Sequence, residues 1–206
     1  MTTYIDILTD IVSHNPDKFF DRDISLDPPL GVICGLNDNK EIMLSIIKDS
    51  KNNLHDLPLN YASDRLKDDE EVVLAAVKRD GRALAYASDR LKDDREIVLA
   101  GIEHDGIALI YASGRLQKDR DLLLAAVNNF YGDLLGCISK RVNMEILGKD
   151  REIILAAVKH YGGALRHASE ELRDDEEIVL NAVSRYGSSA LQLSLIHISE
   201  PTRPER

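Results

Sequence analysis

Short apolar runs recur along the chain, and charged residues bracket each of them. In "DDEEVVLAAVKRDG", residues 68–81, acidic residues precede the run, basic residues follow it, and Gly81 closes the stretch. An Asp just before an apolar run is a favoured helix N-cap, acidic residues suit the first turn of a helix, and basic residues suit the last. The pattern therefore predicts a helix that begins after Asp69 and ends before Gly81.

The two ends of this pattern are repeated along the chain. The residues at the N-cap position are Asn39, Asp69, Asp94, Asp119, Asp150 and Asp175. The glycines at the closing position are Gly81, Gly106, Gly132, Gly162 and Gly187. Because glycine adopts the left-handed region without a steric penalty, the sequence predicts that each helix ends on a glycine with a positive φ.

A second, shorter apolar pattern follows each glycine. In "RALAYASDRL", residues 82–91, the spacing of Leu84, Ala87 and Leu91 matches one stripe of a short helix. Each copy of the pattern is therefore predicted to be a helical hairpin. The first helix of the hairpin has apolar residues on every side, which predicts that neighbouring helices cover both of its flanks.

The hairpins form an internal repeat. Residues 66–90 and residues 91–115 align without a gap, with 16 identities in 25 positions. We number the repeats 1 to 6 from their first residues, which are 36, 66, 91, 116, 147 and 172. Since a single hairpin cannot bury its apolar helix, stacking must supply the stability. The sequence predicts an all-α fold, an α-solenoid of about six short helical hairpins with a 25-residue base period over residues 36–192, after an N-terminal helical cap and connector at residues 1–35.

This repeat resembles the family catalogued as domain of unknown function 4116. Repeats of that family run Leu-x-x-Asp-x-Glu-(Ile/Val)-Val-Leu-x-Ala-Val and then Gly-x-Ala-Leu-x-Tyr-Ala-Ser. The residues of repeat 2 that carry the match are Leu66, Asp69, Glu71, Val73, Leu74, Ala76, Val77, Gly81, Ala83, Leu84, Tyr86, Ala87 and Ser88. The resemblance covers about residues 36 to 191. It implies the repeat fold and brings no activity, because the role of the family is unassigned.

Charge and cysteine content narrow the classes of function. The formal net charge is −10, the wrong sign for binding nucleic acid or an anionic membrane surface. The sequence shows no signal peptide and no apolar run long enough to cross a bilayer. Cys34 and Cys137 fit no disulfide or thiol motif, so both are expected to be small buried hydrophobic residues. These features predict an acidic, cytoplasmic protein.

Two columns of polar residues are the candidates for a partner-binding surface. The aligned tyrosines are Tyr61, Tyr86 and Tyr111, and the aligned arginines are Arg65, Arg90, Arg115 and Arg141. Tyr and Arg are enriched at the energetic centres of protein interfaces, so the two columns could form a strip that contacts a protein partner. The alternative is structural: each Tyr packs over the adjacent repeat, and each Arg pairs with a nearby Asp or Glu.

The polar residues recur from repeat to repeat, whereas catalysis needs unlike residues at one place. His160 and His167 lie on opposite sides of Gly162 and Gly163 and lack a third column of ligands. The sequence therefore predicts no catalytic residue, no metal site and no cofactor. It favours a non-catalytic protein–protein interaction scaffold. The alternative is an accessory repeat region of a larger enzyme that has been truncated.

The C-terminal stretch departs from the repeat. Residues 193–203, "LSLIHISEPTR", look like a translated sequencing adapter. Residues 193–206 are therefore predicted to be a non-native tail, and the natural chain is expected to have been cut inside repeat 6.

Overall fold

The computed structural model describes residues 36–49, 57–130, 132–139 and 144–186, which form helices and no strand. The α-helices are α1 (Lys40–Asp49), α2 (Asp64–Lys67), α3 (Glu70–Arg79), α4 (Asp89–Lys92), α5 (Arg95–His104), α6 (Arg120–Asn128), α7 (Leu134–Ile138), α8 (Met144–Leu147), α9 (Arg151–His160), α10 (Glu170–Arg173) and α11 (Glu176–Tyr186). The 3-10 helices are Leu36–Asp38, Pro58–Tyr61, Gly81–Tyr86, Gly106–Tyr111, Leu116–Lys118 and Gly162–His167. The all-α prediction is confirmed for these residues. The predicted cap at 1–35 and the predicted tail at 193–206 lie outside them.

The predicted N-caps are confirmed in every repeat. Each long helix begins one residue after its cap, and the cap side chain accepts a hydrogen bond from the backbone N–H three residues later. In repeat 2, Asp69 accepts from the N–H groups of Glu71 and Val72 at 3.1 and 3.2 Å. The corresponding acceptors in the other repeats are Asn39, Asp94, Asp119, Asp150 and Asp175.

The second half of the hairpin differs from the prediction of one short helix. In repeat 2 it consists of the 3-10 helix Gly81–Tyr86 and the one-turn helix α4, with Ala87 and Ser88 extended between them. The break occurs because the Ser88 N–H donates to the Lys67 carbonyl at 2.9 Å instead of continuing the helix. The predicted apolar stripe is nevertheless buried, since Leu84, Ala87 and Leu91 are at most 5% exposed.

The closing glycines also differ from the prediction. Neither Gly106 nor Gly132 has a φ in the left-handed range. The residue after helix α3, Asp80, is extended, with φ −149° and ψ 112°, and Tyr161, the residue after helix α9, has a similar conformation. Helices α3 and α9 therefore stop at an extended residue before the glycine, whereas Asn129, which follows α6, has φ −106° and ψ 16°. The expectation of a positive φ is wrong at Gly106 and Gly132.

The described residues divide into two compact units. The first contains residues up to His104 together with Tyr111–Ser113, and the second contains Asp105–Ile110 and the residues from Gly114. In the first unit α3 packs between α1 and α5, and in the second α9 packs between α6 and α11. The flanks of the long helices are covered less completely than predicted: Val72, Val73, Ala76 and Val77 of α3 are buried, whereas residues 74 and 75 are half-buried.

Candidate functional site

Each tyrosine of the predicted strip ends a 3-10 helix. Tyr61, Tyr86 and Tyr111 are the last residues of Pro58–Tyr61, Gly81–Tyr86 and Gly106–Tyr111, and all three are half-buried. The leucine two residues before each tyrosine is fully buried and anchors the turn; these leucines are Leu59, Leu84 and Leu109. The structure therefore places three partly exposed aromatic rings at the same position of successive repeats.

A serine two residues after each tyrosine joins the end of a repeat to its beginning. The Ser88 hydroxyl donates to the Asp68 carboxylate, and its oxygen accepts the Leu91 N–H at 3.3 Å. The Ser88 N–H donates to the Lys67 carbonyl, as described above. Equivalent N–H bonds of 2.8 to 3.0 Å join Ser63 to Asn37, Ser113 to Lys92, and Ser169 to Gly148.

The arginine two residues after this serine binds the same segment. In repeat 2, Arg90 donates to the Asp68 carboxylate at 3.0 Å, to the Asp68 carbonyl at 2.7 Å and to the Glu70 carboxylate at 2.8 Å. Hydrogen bonds from Ser88 and Arg90 hold the pKa of Asp68 below its ordinary value. We call this Ser-x-Arg arrangement, with the carbonyl and carboxylates that it binds, the closure clamp.

Repeat 1 contains this clamp without its second carboxylate, because Lys40 stands at the position of Glu70. Arg65 donates to the Asp38 carboxylate at 2.9 Å, and Ser63 and Arg65 together lower the pKa of Asp38. Arg65 and Arg90 thus pair with nearby acidic residues, as the structural alternative for the arginine column predicts. Even so, 61% and 54% of their side chains stay exposed. Arg115 is exposed. Arg141 lies outside the described residues.

A second set of ion pairs was missed in the sequence. In these pairs, the basic residue at the first position of a long helix contacts the N-cap and first-turn carboxylates of the next repeat. Lys40 contacts Asp69 and Glu71 at 2.9 and 2.8 Å. In the second unit, Arg120 contacts Asp150 and Glu152, and Arg151 contacts Asp175 and Glu177, at 2.6 to 2.9 Å. The aligned repeats contain a signal for these pairs, because one column holds the basic residues Lys40, Arg95, Arg120 and Arg151.

His167 takes the place of the tyrosine in repeat 5. Its Nε2 lies 3.3 Å from Asp133, which also binds Arg166. Burial lowers the pKa of His167, and the neighbouring Asp133 opposes that shift. Cys137, in the same column of repeat 4, is exposed, so the expectation that it is buried is wrong. Cys34 lies outside the described residues.

Among the residues that the structure describes, no group of three or more His, Cys, Asp or Glu side chains could hold a metal ion. Within the same ranges, no helix is both long enough and apolar enough to pass through a membrane.

Comparison with known families agrees with the repeat. Residues 39–92, 94–142 and 150–200 each match the family described as Domain of unknown function (DUF4116), and together these matches cover most of the chain. The chain belongs to the DUF4116 family. Among curated proteins and among solved structures, nothing matches it. The third DUF4116 match extends to residue 200, into the stretch that was predicted to be a non-native tail; that assignment stays a prediction.

Proposed function

We propose that this DUF4116 protein is a non-catalytic, cytoplasmic α-solenoid that binds a protein partner along Tyr61, Tyr86 and Tyr111 and the neighbouring arginines. The observation that carries the proposal is the recurrence of a half-buried tyrosine at the end of the same 3-10 helix in repeats 1 to 3. Tyr provides a large, rigid contact surface with few rotamers to order, which suits an interface. The acidic charge favours a protein over a nucleic acid as the partner.

The proposed solenoid rests on the order of packing within each compact unit. Long helices of consecutive repeats contact each other, α1 with α3 and α3 with α5 in one unit, α6 with α9 and α9 with α11 in the other. The basic residue at the start of a long helix reaches the next repeat in both units. Contacts between the long helices of consecutive repeats, present within both units, are typical of a stacked array.

The test removes two rings of the strip. The double variant Tyr86→Ser/Tyr111→Ser and the wild-type chain are used as baits in extracts of the source cells, and the retained proteins are quantified. We expect a partner of the wild-type chain to be retained about tenfold less by the variant, because aromatic residues dominate interface energies. Arg90→Glu is less suitable, since it would also break the closure clamp.

The control changes two exposed residues of the long helices, Lys78→Ser/Glu103→Ser. Circular dichroism must show that all three chains are helical at the temperature of the assay. A folded tyrosine variant that retains every partner as well as the wild-type chain does would remove the strip from the proposal.

A further inference from the structure

One histidine nitrogen in repeat 5 lies between a hydrogen-bond donor and a carboxylate. The Nε2 atom of His167 accepts a hydrogen bond from the Arg166 Nε–H at 3.1 Å, and the same atom lies 3.3 Å from Oδ1 of Asp133. A ring nitrogen that accepts a hydrogen bond carries no proton, so this contact belongs to the neutral imidazole, whose proton is on Nδ1. Protonation of Nε2 would therefore end the contact with Arg166.

The cluster around this nitrogen has more positive groups than acceptors. The Asp133 oxygen that faces His167 already accepts the Gly136 N–H at 2.9 Å, and the other oxygen of the same carboxylate binds Arg166. Arg173 brings a second guanidinium: its Nη2 donates to the Arg166 carbonyl at 2.9 Å, and its buried Nε has no acceptor among the described residues. A charged His167 would thus be a third cation beside one carboxylate.

The other elements that pack against the 3-10 helix Gly162–His167 are α9 and α11. Their N-cap and first-turn carboxylates form the ion pairs with Arg120 and Arg151 described above. His160 is half-buried at the end of α9. The exposed charged residues on α9, α10 and α11 and at the end of α10 include Lys159, Glu170, Glu171, Asp174 and Glu176. The groups that act on the charge of His167 are Asp133, Arg166 and Arg173.

These surroundings disfavour the charged form of His167. Its side chain is only 14% exposed, and burial is the main cause that lowers its pKa below the ordinary value of 6.5. Asp133 opposes this shift, whereas Arg166 and Arg173 add to it. Because the folded-state pKa lies below that of the unfolded chain, the stability that depends on neutral His167 is present above pH 6.5 and is lost as the pH falls through the folded pKa.

We propose that His167 forms an acid-sensitive contact between repeats 4 and 5, which holds α7 on the 3-10 helix Gly162–His167 while the imidazole is neutral and opens when the imidazole takes up a proton. On protonation Nε2 changes from an acceptor to a donor, and Arg166 loses its acceptor on the ring. Opening exposes the imidazolium to water, which solvates its charge. The same column holds tyrosine in repeats 1 to 3, and a phenol does not take up a proton in mild acid.

The experiment follows α7 with a nitroxide spin label on Cys137, which is exposed and belongs to that helix. The change Cys34→Ser leaves Cys137 as the single cysteine of the full chain. We expect the mobile component of the electron paramagnetic resonance spectrum to grow about threefold between about pH 7.5 and about pH 5, the range in which a histidine titrates. Circular dichroism over the same range is expected to show that the chain stays helical.

The matched variant is His167→Tyr, which gives repeat 5 the residue type of repeats 1 to 3. Its label is expected to keep the same mobility over the whole pH range, and His167→Gln provides the same test if the tyrosine variant does not fold. The control His160→Gln removes another histidine of the same unit and is expected to keep the wild-type response.

The variant Arg173→Gln tests the cause of the response. Removal of a neighbouring positive charge raises the pKa of His167, so the midpoint of the mobility change is expected to move to higher pH. A loss of packing alone would leave that midpoint in place.

Mobility that does not change with pH in the wild-type background, or that rises equally in His167→Tyr, overturns the proposal. A midpoint that Arg173→Gln leaves unmoved would overturn it as stated, because the guanidiniums would then have no part in the opening. The Tyr strip belongs to repeats 1 to 3, so either proposal can fail alone.

Discussion

At the scale of the residue, close backbone approach explains one of the recurring glycines. The Gly106 N–H donates to the Asn129 carbonyl at 3.0 Å. A Cβ built on Gly106 would lie 2.0 Å from the Ala126 carbonyl oxygen and 2.9 Å from the Phe130 Cβ. Both of those atoms belong to the backbone or to the base of a side chain, so neither can rotate away. Glycine is therefore needed here to let the 3-10 helix Gly106–Tyr111 approach the end of α6.

We predict that Gly106→Ala destabilises the protein by about 2 kcal/mol, because the added methyl group must displace backbone atoms. The matched control is Gly114→Ala, where a Cβ meets nothing within 4 Å. That change is expected to be neutral or to stabilise by about 0.5 kcal/mol, because alanine restricts the unfolded chain. Chemical denaturation followed by circular dichroism measures both changes. Equal unfolding free energies for the two variants would contradict the steric explanation.

At the scale of the element, the sequence predicted what is local and missed what depends on distant partners. The N-caps were predicted because an Asp and the N–H groups that it binds are at most three residues apart. The break at Ser88 could not be predicted in this way, since its N–H is held by the Lys67 carbonyl of an earlier short helix. The pairing of Arg90 was foreseen only as an alternative, because helical spacing alone does not identify Asp68 as its partner.

Helix α5 offers the cleanest test of capping. Asp94 accepts from the Glu96 and Ile97 N–H groups at 2.9 and 3.2 Å. We predict that Asp94→Ala lowers the free energy of unfolding by about 1 kcal/mol, because two N–H groups lose their acceptor. Asp94→Asn keeps an acceptor oxygen and is expected to lose less than half as much. If the two variants unfold at the same denaturant concentration, the cap contributes through its charge and not through its hydrogen bonds.

At the scale of the whole molecule, ion pairs between neighbouring segments recur along a chain whose net charge is strongly negative. The chain carries a formal charge of −10, yet several aspartates are held ionised by cations of a neighbouring segment. The hydrogen bond from Arg151 is the main cause that lowers the pKa of Asp175, and Arg120 has the same effect on Asp150. These pairs are exposed, so each contributes little, and their importance lies in their repetition.

These pKa shifts predict how the stability of the folded chain changes as the pH falls. The folded-state pKa of Asp175 lies below its ordinary value of 3.8, so near that pH the folded chain binds fewer protons than the unfolded chain. The stabilisation by the Arg151 pair is therefore complete well above pH 3.8 and is lost as the pH falls through the folded pKa. We predict that Arg151→Gln lowers Tm by about 1–3 °C at neutral pH and that this gap closes at about pH 2.

The control for this comparison is Lys159→Gln, which removes a positive charge from the same helix. Lys159 is exposed, and its ammonium makes no ion pair with the described residues. Because no carboxylate of the described residues pairs with it, the Tm difference between Lys159→Gln and the wild-type chain is expected to stay the same as the pH falls through 3.8. A gap for Arg151→Gln that persists in acid would mean that the arginine stabilises α9 by packing, and that these ion pairs do not set the response of the protein to acid.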